Sequence, residues 1–586
     1  MKKIRNILIL FVLILSTNAC QDDILNLESL EKPGSSTFFS NADELDLALT
    51  GAYNSLIWFG GGGVPAQILM DNGGTDIGMV RSLTVAGLSE QGQGTISSQT
   101  GSVASAYSHL YRGIGRTNNI LENLDRAAGE LTEAEVGLVR GQALTLRAYF
   151  YHYLVELFGD VPYIDVLPTS AEESFIPRTE KATIVDQIMA DLQTAAGLLP
   201  VNPSRPDRIT KGVALGLKAR IALYNGKYSE AATAAKSVMD IESEAGYILD
   251  SDYKDLFQLS GENSMEIMLR MPFQEGFGLQ NNPRELGTRC QGGWSRVVPT
   301  QVMIDSYEAT DGLPIDESAV YDPSTPFANR DPRLNASIIL PGTPWAGVIF
   351  ESHPDSLLLR VWNPVTSTYE HTGAANQDSR LIKWPACFCG YLWKKYANEQ
   401  NAIDRIGSAE NDIILMRYAE ILLIYAEAKI EAGAIDATVL NAINRIRARA
   451  YGVDVGDVGN YPAITTTDQS ELRRVIRRER KVELANEGFR IYDIRRWRIA
   501  EKVVPVVIYG RILDEANATL IPDIDEDGHI TYDNSTGQWD RNTDARFPNG
   551  QSRTFISPRD YLSPIPQAEI DTYMGSGFSL EQNTGF

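Results

Sequence analysis

The sequence predicts a mainly α-helical protein, in which a tetratricopeptide-like helical-repeat framework holds a large irregular, loop-rich insertion with few short strands. Apolar residues recur at helical spacing over residues 105–240, and the same periodicity returns after residue 413. Between these blocks, over residues 241–410, periodicity is lost and proline, glycine and aromatic residues accumulate. Because one helical hairpin cannot bury its own apolar face, several are expected to stack into a curved solenoid.

The N-terminus has the three parts of a signal peptide, predicted over residues 1–19. Lys2, Lys3 and Arg5 precede the apolar run 7–15, which is shorter than the ~20 residues of a membrane span. Small residues then lead to Cys20, and Ala19-Cys20 resembles a lipobox, which would make Cys20 the acylated N-terminus. The alternative is an ordinary secretory signal with an incidental cysteine. Residues 20–40 are predicted to be a lipid-anchored tether.

The first block of the body is expected to be helical. Asn41 is predicted to cap a helix that ends at the glycine run 60–63. The remaining helices of this part, residues 41–240, are predicted at 105–124, 136–158 and 184–199, with a helix–turn–helix at 209–240.

Residues 71–100, which are rich in Gly, Ser, Thr and Gln, are predicted to form a long loop. Long loops in compact proteins are often binding loops. Asp71, Asp76 and Arg81 are therefore predicted to supply hydrogen-bonding groups for a ligand, and Trp58, just before them, to supply a stacking surface.

The irregular lobe at residues 241–410 concentrates rigid aromatic area. It contains five of the eight tryptophans, namely Trp294, Trp345, Trp362, Trp384 and Trp393. Sugar C–H faces stack on such rings, so Trp294, Trp345 and Trp393 are predicted to contact a ligand. The alternative for any one of them is that a lobe without long helices uses large aromatic residues as its core.

A strongly amphipathic helix is predicted over residues 471–497. Glu479, Glu483 and Glu487 follow one another at intervals of four, which aligns three carboxylates along one stripe. Such a stripe is either a catalytic carboxylate group or a network of ion pairs with neighbouring arginines. We expect the ion-pair network, because structural networks of this kind are common.

The same helix carries a family resemblance. RRERKVELANEGFR at residues 477–490, followed by DIRRW, resembles the C-terminal signature of the SusD/RagB family of Bacteroidetes outer-membrane nutrient-binding lipoproteins. Three more stretches resemble this family: LRAYFYHYLVELFGDVPYI at 146–164, DIILMRYAEILLIYAEAKIEAG at 412–433, and YLSPIPQAEI with the terminal LEQNTGF. Residues 411–586 are accordingly expected to be the C-terminal SusD/RagB region.

The resemblance implies a non-catalytic lipoprotein at the outer membrane that faces the cell exterior and touches the membrane through its lipid anchor alone. Gln21-Asp22-Asp23 resembles the acidic tag that sends such lipoproteins to the surface. The implied ligand is a nutrient, with an oligosaccharide favoured, and the implied partner is a SusC-like TonB-dependent transporter. No cofactor is required. The alternatives are a helical-repeat adaptor that binds a protein or peptide, and a surface hydrolase.

One acidic segment resembles a calcium loop. Asp523, Asp525 and Asp527 fall at positions 1, 3 and 5, and glycine follows at position 6. Asn534 stands at position 12, where a bidentate Glu is usual, so a lower affinity is expected. The predicted calcium site comprises Asp523, Asp525, Asp527 and His529. An acidic surface turn is the alternative, and the sequence leaves both open.

Charge and motifs disfavour two other functions. The formal net charge of −23 argues against nucleic acid, whose phosphates require a basic face. Neither a His-Glu-x-x-His motif, a Gly-x-Ser-x-Gly elbow nor a phosphate-binding loop occurs, which disfavours an enzyme. Cys290, Cys387 and Cys389 could supply one disulfide, and the choice between Cys387 and Cys389 as partner of Cys290 stays open.

Overall fold

The computed structural model describes residues 38–61, 63–81, 89–127, 129–203, 205, 207–276, 278–383, 386–539 and 553–586. The predicted signal peptide, the predicted acylation site Cys20 and nearly all of the tether fall outside these residues, as does Trp384. Within the described ranges, no helix has both the length and the apolar character that crossing a membrane would take.

Helices dominate, as the periodicity predicts. In chain order they are α1 Ala42–Tyr53, α2 Ala66–Gly74, α3 Ser89–Gly92, α4 Gly101–Ala127, α5 Glu133–Phe158, α6 Lys181–Leu198, α7 Lys211–Tyr224, α8 Tyr228–Asp240, α9 Glu242–Ala245, α10 Asn282–Leu286, α11 Gln301–Ser306, α12 Arg333–Ser337, α13 Glu399–Asp404, α14 Tyr418–Glu431, α15 Ala437–Ala450, α16 Gln469–Glu483, α17 Arg490–Arg496, α18 Ala500–Val503 and α19 Gln567–Gly575. From α9 to α13, the helices are six residues or shorter, as expected for the irregular lobe.

The two helical blocks form one stack. Helices α4 to α8 each pack on the next helix along the chain, as antiparallel hairpins of a repeat framework do. The last helix of this block, α8, packs against α14, which also contacts α15 and α16. The lobe therefore leaves the stack after α8, and the chain returns to the same stack at α14.

Side chains at the helix N-termini explain where several helices begin. Asn41 caps α1, since its Oδ1 accepts a hydrogen bond from the Glu44 amide at 3.0 Å. Thr132 and Glu135 form a reciprocal capping box at the start of α5. The predicted end of α1 at the glycine run is wrong, because a 3₁₀ turn at Asn54–Leu56 already follows the helix.

The strands are short. They are β1 Phe59–Gly61, β2 Val64–Pro65, β3 Gly78–Val80, β4 Val161–Pro162, β5 Arg178–Thr179, β6 Ile267–Met271, β7 Val297–Pro299, β8 Ile338–Ile339, β9 Thr343–Trp345, β10 Val348–Phe350, β11 Leu358–Asn363, β12 Thr368–Ala375, β13 Leu392–Trp393, β14 Ile413–Arg417, β15 Asp523–Ile524 and β16 Ile530–Thr531. Strands β9 to β12 form an antiparallel sheet in the order β12-β11-β10-β9, and the other strands pair in twos.

Three further predicted elements are wrong. The single helix predicted over residues 471–497 is interrupted, since α16 ends at Glu483, α17 begins at Arg490, and Asn486 and Gly488 between them have positive φ. Residues 413–417 were expected to begin a helix, but they form β14, which pairs antiparallel with β6 and is buried throughout. A short, fully apolar run is compatible with either a buried strand or a buried helix, so periodicity does not separate them. The long loop expected from residue 71 is also wrong at its start, because residues 71–74 belong to α2. The side-chain amide of Asn72 is buried there and donates hydrogen bonds to Ile68 O and Asn486 Oδ1, each at 2.7 Å.

The carboxylate stripe is an internal ion-pair network, as expected. Glu483 is fully buried, and its oxygens lie 2.7 Å from Arg417 Nη1, 2.5 Å from Arg449 Nη2 and 2.9 Å from Arg333 Nη1. Burial alone would raise the pKa of Glu483, but these three guanidinium groups outweigh it and hold the pKa well below its usual range. Glu483 is therefore a charged structural anchor.

Its two neighbours on the stripe are bound in the same way. Glu487 pairs with Lys395 Nζ at 2.7 Å and with Arg417 Nη2 at 2.8 Å, and Glu479 pairs with Arg447 Nη1 at 2.9 Å. All of these side chains are buried. The network thus connects α16 and the turn that follows it to β14, α15 and the lobe, and the stripe does not open into a cleft.

Candidate functional site

Two of the predicted ligand-binding acids lie in the core. Asp71 is fully buried on α2, and its carboxylate accepts hydrogen bonds from the backbone amides of Gly488 at 2.7 Å and Arg490 at 3.0 Å. Burial raises the pKa of Asp71 to about 7. Asp76 lies 2.8 Å from the Arg490 guanidinium and 3.0 Å from Lys481 Nζ. The expectation that a surface loop presents Asp71 and Asp76 is therefore corrected, because both acids attach α2 and its following turn to α16 and α17.

Three predicted stacking tryptophans are also buried. Trp393 is fully buried, and its indole N–H donates a hydrogen bond to Asn72 Oδ1 at 2.7 Å. Trp345 lies in β9 with 2% of its surface exposed, and Trp58 packs parallel to His109 with a centroid distance of 5.8 Å. These rings fill the core of a region with few long helices, so the prediction that they present a face to a ligand is corrected.

The structure brings the remaining two predicted residues together. Strand β3 pairs antiparallel with β7, which aligns Arg81, just after β3, with Arg296, just before β7. The Arg81 amide donates to Arg296 O at 2.7 Å, and Arg81 Nη2 donates to Trp294 O at 3.2 Å. Trp294 is 37% exposed. Arg81 and Trp294 therefore share one surface, although they are far apart in the chain.

Backbone hydrogen bonds fix the segment that carries Trp294. The amides of Trp294, Ser295 and Arg296 donate to the carbonyls of Arg284, Gly287 and Glu285 at 2.5, 3.1 and 2.8 Å. The turn also depends on glycine, since a Cβ at position 293 would lie 2.4 Å from the Gly287 carbonyl oxygen. Because both ends of the segment are fixed, the exposed ring is preorganised for contact with a ligand.

Guanidinium groups surround the Trp294 ring. The Cζ atom of Arg296 lies 4.0 Å from the ring centroid and that of Arg284 lies 5.1 Å away, both within cation–π distance. Arg289 Nη2 donates to Trp294 O at 2.8 Å. Arg296 also pairs with the buried carboxylate of Glu285, with its Nε 2.5 Å from Oε2. The surface thus combines an apolar face with charged hydrogen-bond donors.

A second exposed aromatic pair lies on the β11–β12 hairpin. Trp362 and Tyr369 face each other across the two strands, with ring centroids 5.2 Å apart, and Trp362 is 43% exposed. The sequence placed Trp362 in the aromatic lobe but did not select it as a binding residue. Two aromatic residues at cross-strand positions of a hairpin are the signal that could have selected it.

The predicted calcium loop does not have the contacts of a calcium site. Lys502 Nζ lies 2.7 Å from Asp525 Oδ2 and 2.8 Å from Asp527 Oδ2, and Arg477 Nη1 lies 2.5 Å from Asp527 Oδ1. In the described part of the chain, no three His, Cys, Asp or Glu side chains are grouped as metal ligands. Asp525 and Asp527 in this turn are neutralised by Lys502 and Arg477, so the calcium prediction is not supported.

The three cysteines of the described body are free thiols. Cys387 and Cys389 are buried, and burial raises the pKa of Cys389 to about 12. Cys290 Sγ lies 3.3 Å from Asn376 Oδ1. The disulfide that the sequence left open, between Cys290 and either Cys387 or Cys389, is therefore absent from the structure.

Comparison with known protein families agrees with this architecture. The family model described as "SusD family" matches residues 261–586, and one described as "Starch-binding associating with outer membrane" matches residues 43–223. The SusD family model matches more than half of the chain, so the protein belongs to the SusD family, as the sequence motifs suggested.

Individual relatives resemble most of the chain. It is 28% identical over 511 residues to SusD-like protein P2 of Formosa agariphila, covering 84% of this chain and 90% of that protein. It is 25% identical over 350 residues to the starch-binding protein SusD of Bacteroides thetaiotaomicron, covering 56% and 60% of the two chains. A SusD-like carbohydrate-binding protein from Bacteroides fragilis superimposes with a TM-score of 0.74 at 26% identity, covering 91% and 99%.

Proposed function

We propose that this protein is a cell-surface lipoprotein that binds an oligosaccharide and delivers it to a SusC-like TonB-dependent transporter. The observation that carries the binding proposal is Trp294, an exposed ring held on a fixed segment beside guanidinium donors. Sugars need this combination, since their C–H faces stack on aromatic rings while their hydroxyl groups need polar partners. Relatives named as starch-binding and carbohydrate-binding proteins support the same ligand class.

Membrane attachment and the partner are part of the proposal. Acylation of Cys20 would anchor the chain to the outer membrane, and the tether would leave the helical stack and the Trp294 surface facing the cell exterior. The family description "associating with outer membrane" supports this location. Co-purification of a TonB-dependent transporter with the full chain from its own membranes tests the partnership. A chain that is recovered alone after mild detergent extraction and crosslinking would count against it.

Isothermal titration against a panel of oligosaccharides and peptides tests the ligand class and the location of the site together. Trp294→Ala is expected to lower the affinity for the bound glycan at least fivefold, if stacking of a sugar on this ring contributes about as much as the 1–3 kcal/mol of a nucleic-acid base on an aromatic side chain. The matched control is Trp362→Ala, which removes a similarly exposed tryptophan from the β11–β12 hairpin.

Three outcomes would contradict the proposal. Peptide binding without glycan binding would favour the helical-repeat adaptor. Loss of binding in Trp362→Ala and not in Trp294→Ala would move the site to the hairpin. Release of shortened products from a polysaccharide by the purified protein would favour the hydrolase.

A further inference from the structure

The charge around Trp294 is opposite in sign to that of the whole chain. Four guanidinium groups, those of Arg81, Arg284, Arg289 and Arg296, lie on or beside this ring or its carbonyl group. The whole chain has a formal charge of −23. The composition of an acidic protein does not predict a cluster of arginines on its surface, so the cluster has either a structural role or a role in ligand binding.

The described carboxylates at this cluster are few and buried. Glu285 pairs with Arg296, and Asp378 Oδ1 accepts a hydrogen bond from the Arg289 amide at 2.7 Å. Both acids have no exposed surface. Neither acid forms an ion pair with Arg284, so the positive charge of Arg284 attracts anions to the ring.

Part of this cluster has a structural role. Arg81 and Arg289 both donate to the Trp294 carbonyl, and Arg296 is bound by Glu285, so these three hold the segment in place. Arg284 differs from them. Its guanidinium lies 5.1 Å from the indole centroid, and no carboxylate in the described ranges lies within ion-pair distance of it. A structural role alone therefore leaves Arg284 unexplained.

Repulsion among the guanidinium groups of the cluster also favours an anionic ligand. Burial, together with the positive charges of Arg289 and Arg296, lowers the pKa of Arg81 to about 10. An anionic group bound at the ring would relieve this repulsion. A guanidinium group also donates two parallel hydrogen bonds to two oxygens of one carboxylate or sulfate, a pairing that neutral hydroxyl groups do not offer.

We propose that the oligosaccharide bound at Trp294 is acidic, carrying a uronic carboxylate or a sulfate ester that is met by Arg284 and its neighbours. This inference rests on the proposed function, since it assumes that a glycan binds at this surface. In the bound state, a sugar ring stacks on Trp294, and its acidic substituent lies at the edge of the ring beside the Arg284 guanidinium.

Matched oligosaccharides test the inference. Isothermal titration would compare an oligogalacturonate with its carboxyl-reduced form, and a sulfated oligogalactan with its desulfated form. At least one acidic member is expected to bind at least tenfold more tightly than its neutral counterpart. Its affinity should fall several-fold between low and high salt, because ion pairs are screened, while any neutral binding should be nearly constant. The two pairs distinguish carboxylate from sulfate.

Variants separate this inference from the proposed function. Arg284→Gln is expected to weaken binding of the acidic ligand at least tenfold and to leave binding of the neutral ligand unchanged, because a hydrogen bond to a charged group contributes about 1.5–3 kcal/mol. Arg284→Lys should retain part of the affinity, which shows that the charge matters. Arg205→Gln, an exposed arginine that pairs with Asp46, is the matched control and should change neither affinity.

The outcomes differ for the two proposals. Equal or tighter binding of the neutral forms, with loss of binding in Trp294→Ala, would overturn the acidic ligand and leave glycan binding at this surface intact. An Arg284→Gln effect that is equal for acidic and neutral ligands would also overturn it. Absence of binding by every glycan tested would overturn both proposals.

Discussion

Glu483→Gln should destabilise the protein strongly, because it removes one charge from the centre of the buried network. In the native protein, three guanidinium groups converge on this carboxylate, from Arg333, Arg417 and Arg449 at 2.9, 2.7 and 2.5 Å. The neutral amide keeps one acceptor oxygen, but it turns N–H groups toward a guanidinium and leaves positive charge buried without its partner. Removing one partner from a buried ion pair costs about 3–5 kcal/mol.

Chemical unfolding followed by circular dichroism measures this cost. The matched control is Glu317→Gln. Glu317 forms a similar pair with Arg474 at 2.6 Å, but the Arg474 and Glu317 side chains are 34% and 43% exposed to solvent. Such surface pairs contribute about 0–1 kcal/mol. If Glu483→Gln lowers the free energy of unfolding no more than Glu317→Gln does, the network does not hold the helical stack to the lobe.

Two further predictions concern pH and calcium. Arg447 and Arg478 outweigh burial and lower the pKa of Glu308 from 4.5 to about 2. A carboxylate whose pKa is lowered in the folded state stabilises the protein above pH 4.5, and this contribution is lost as the pH falls toward 2. The free energy of unfolding should therefore decrease between pH 4.5 and 2, and it should decrease less steeply in Glu308→Gln. A free energy of unfolding that is constant over this window would contradict the prediction. Added calcium should leave the unfolding temperature unchanged, because Lys502 already binds Asp525 and Asp527. An unfolding temperature that rises with calcium and falls again with a chelator would show that calcium displaces the ammonium group.

The helical framework was predictable because its signal is local. Periodic apolar positions and polar caps such as Asn41 and Asp468 lie within a few residues of the helices they define. The acids of α16 were also predictable as a network, since a row of carboxylates requires nearby cations. The identity of those cations was not predictable, because Arg333 and Arg417 come from distant segments.

Burial in the irregular lobe was not predictable in the same way. Trp345 and Trp393 are in the core while Trp294 is exposed, yet all three occur in aperiodic sequence without a pattern that distinguishes them. Their environments depend on pairing between distant strands, such as β3 with β7 and β8 with β13. For the same reason, the sequence selected Asp71 as a ligand-binding residue when its true partners are backbone amides at 488 and 490.

The most direct test of the central claim is a ¹⁹F NMR titration of protein labelled with 5-fluorotryptophan. Each of the eight tryptophans contributes one label, and the signal that disappears in Trp294→Phe identifies position 294. On addition of the bound glycan, this signal is expected to shift, while the signals of the buried Trp345 and Trp393 stay nearly constant. An unchanged Trp294 signal at saturating glycan would contradict the account.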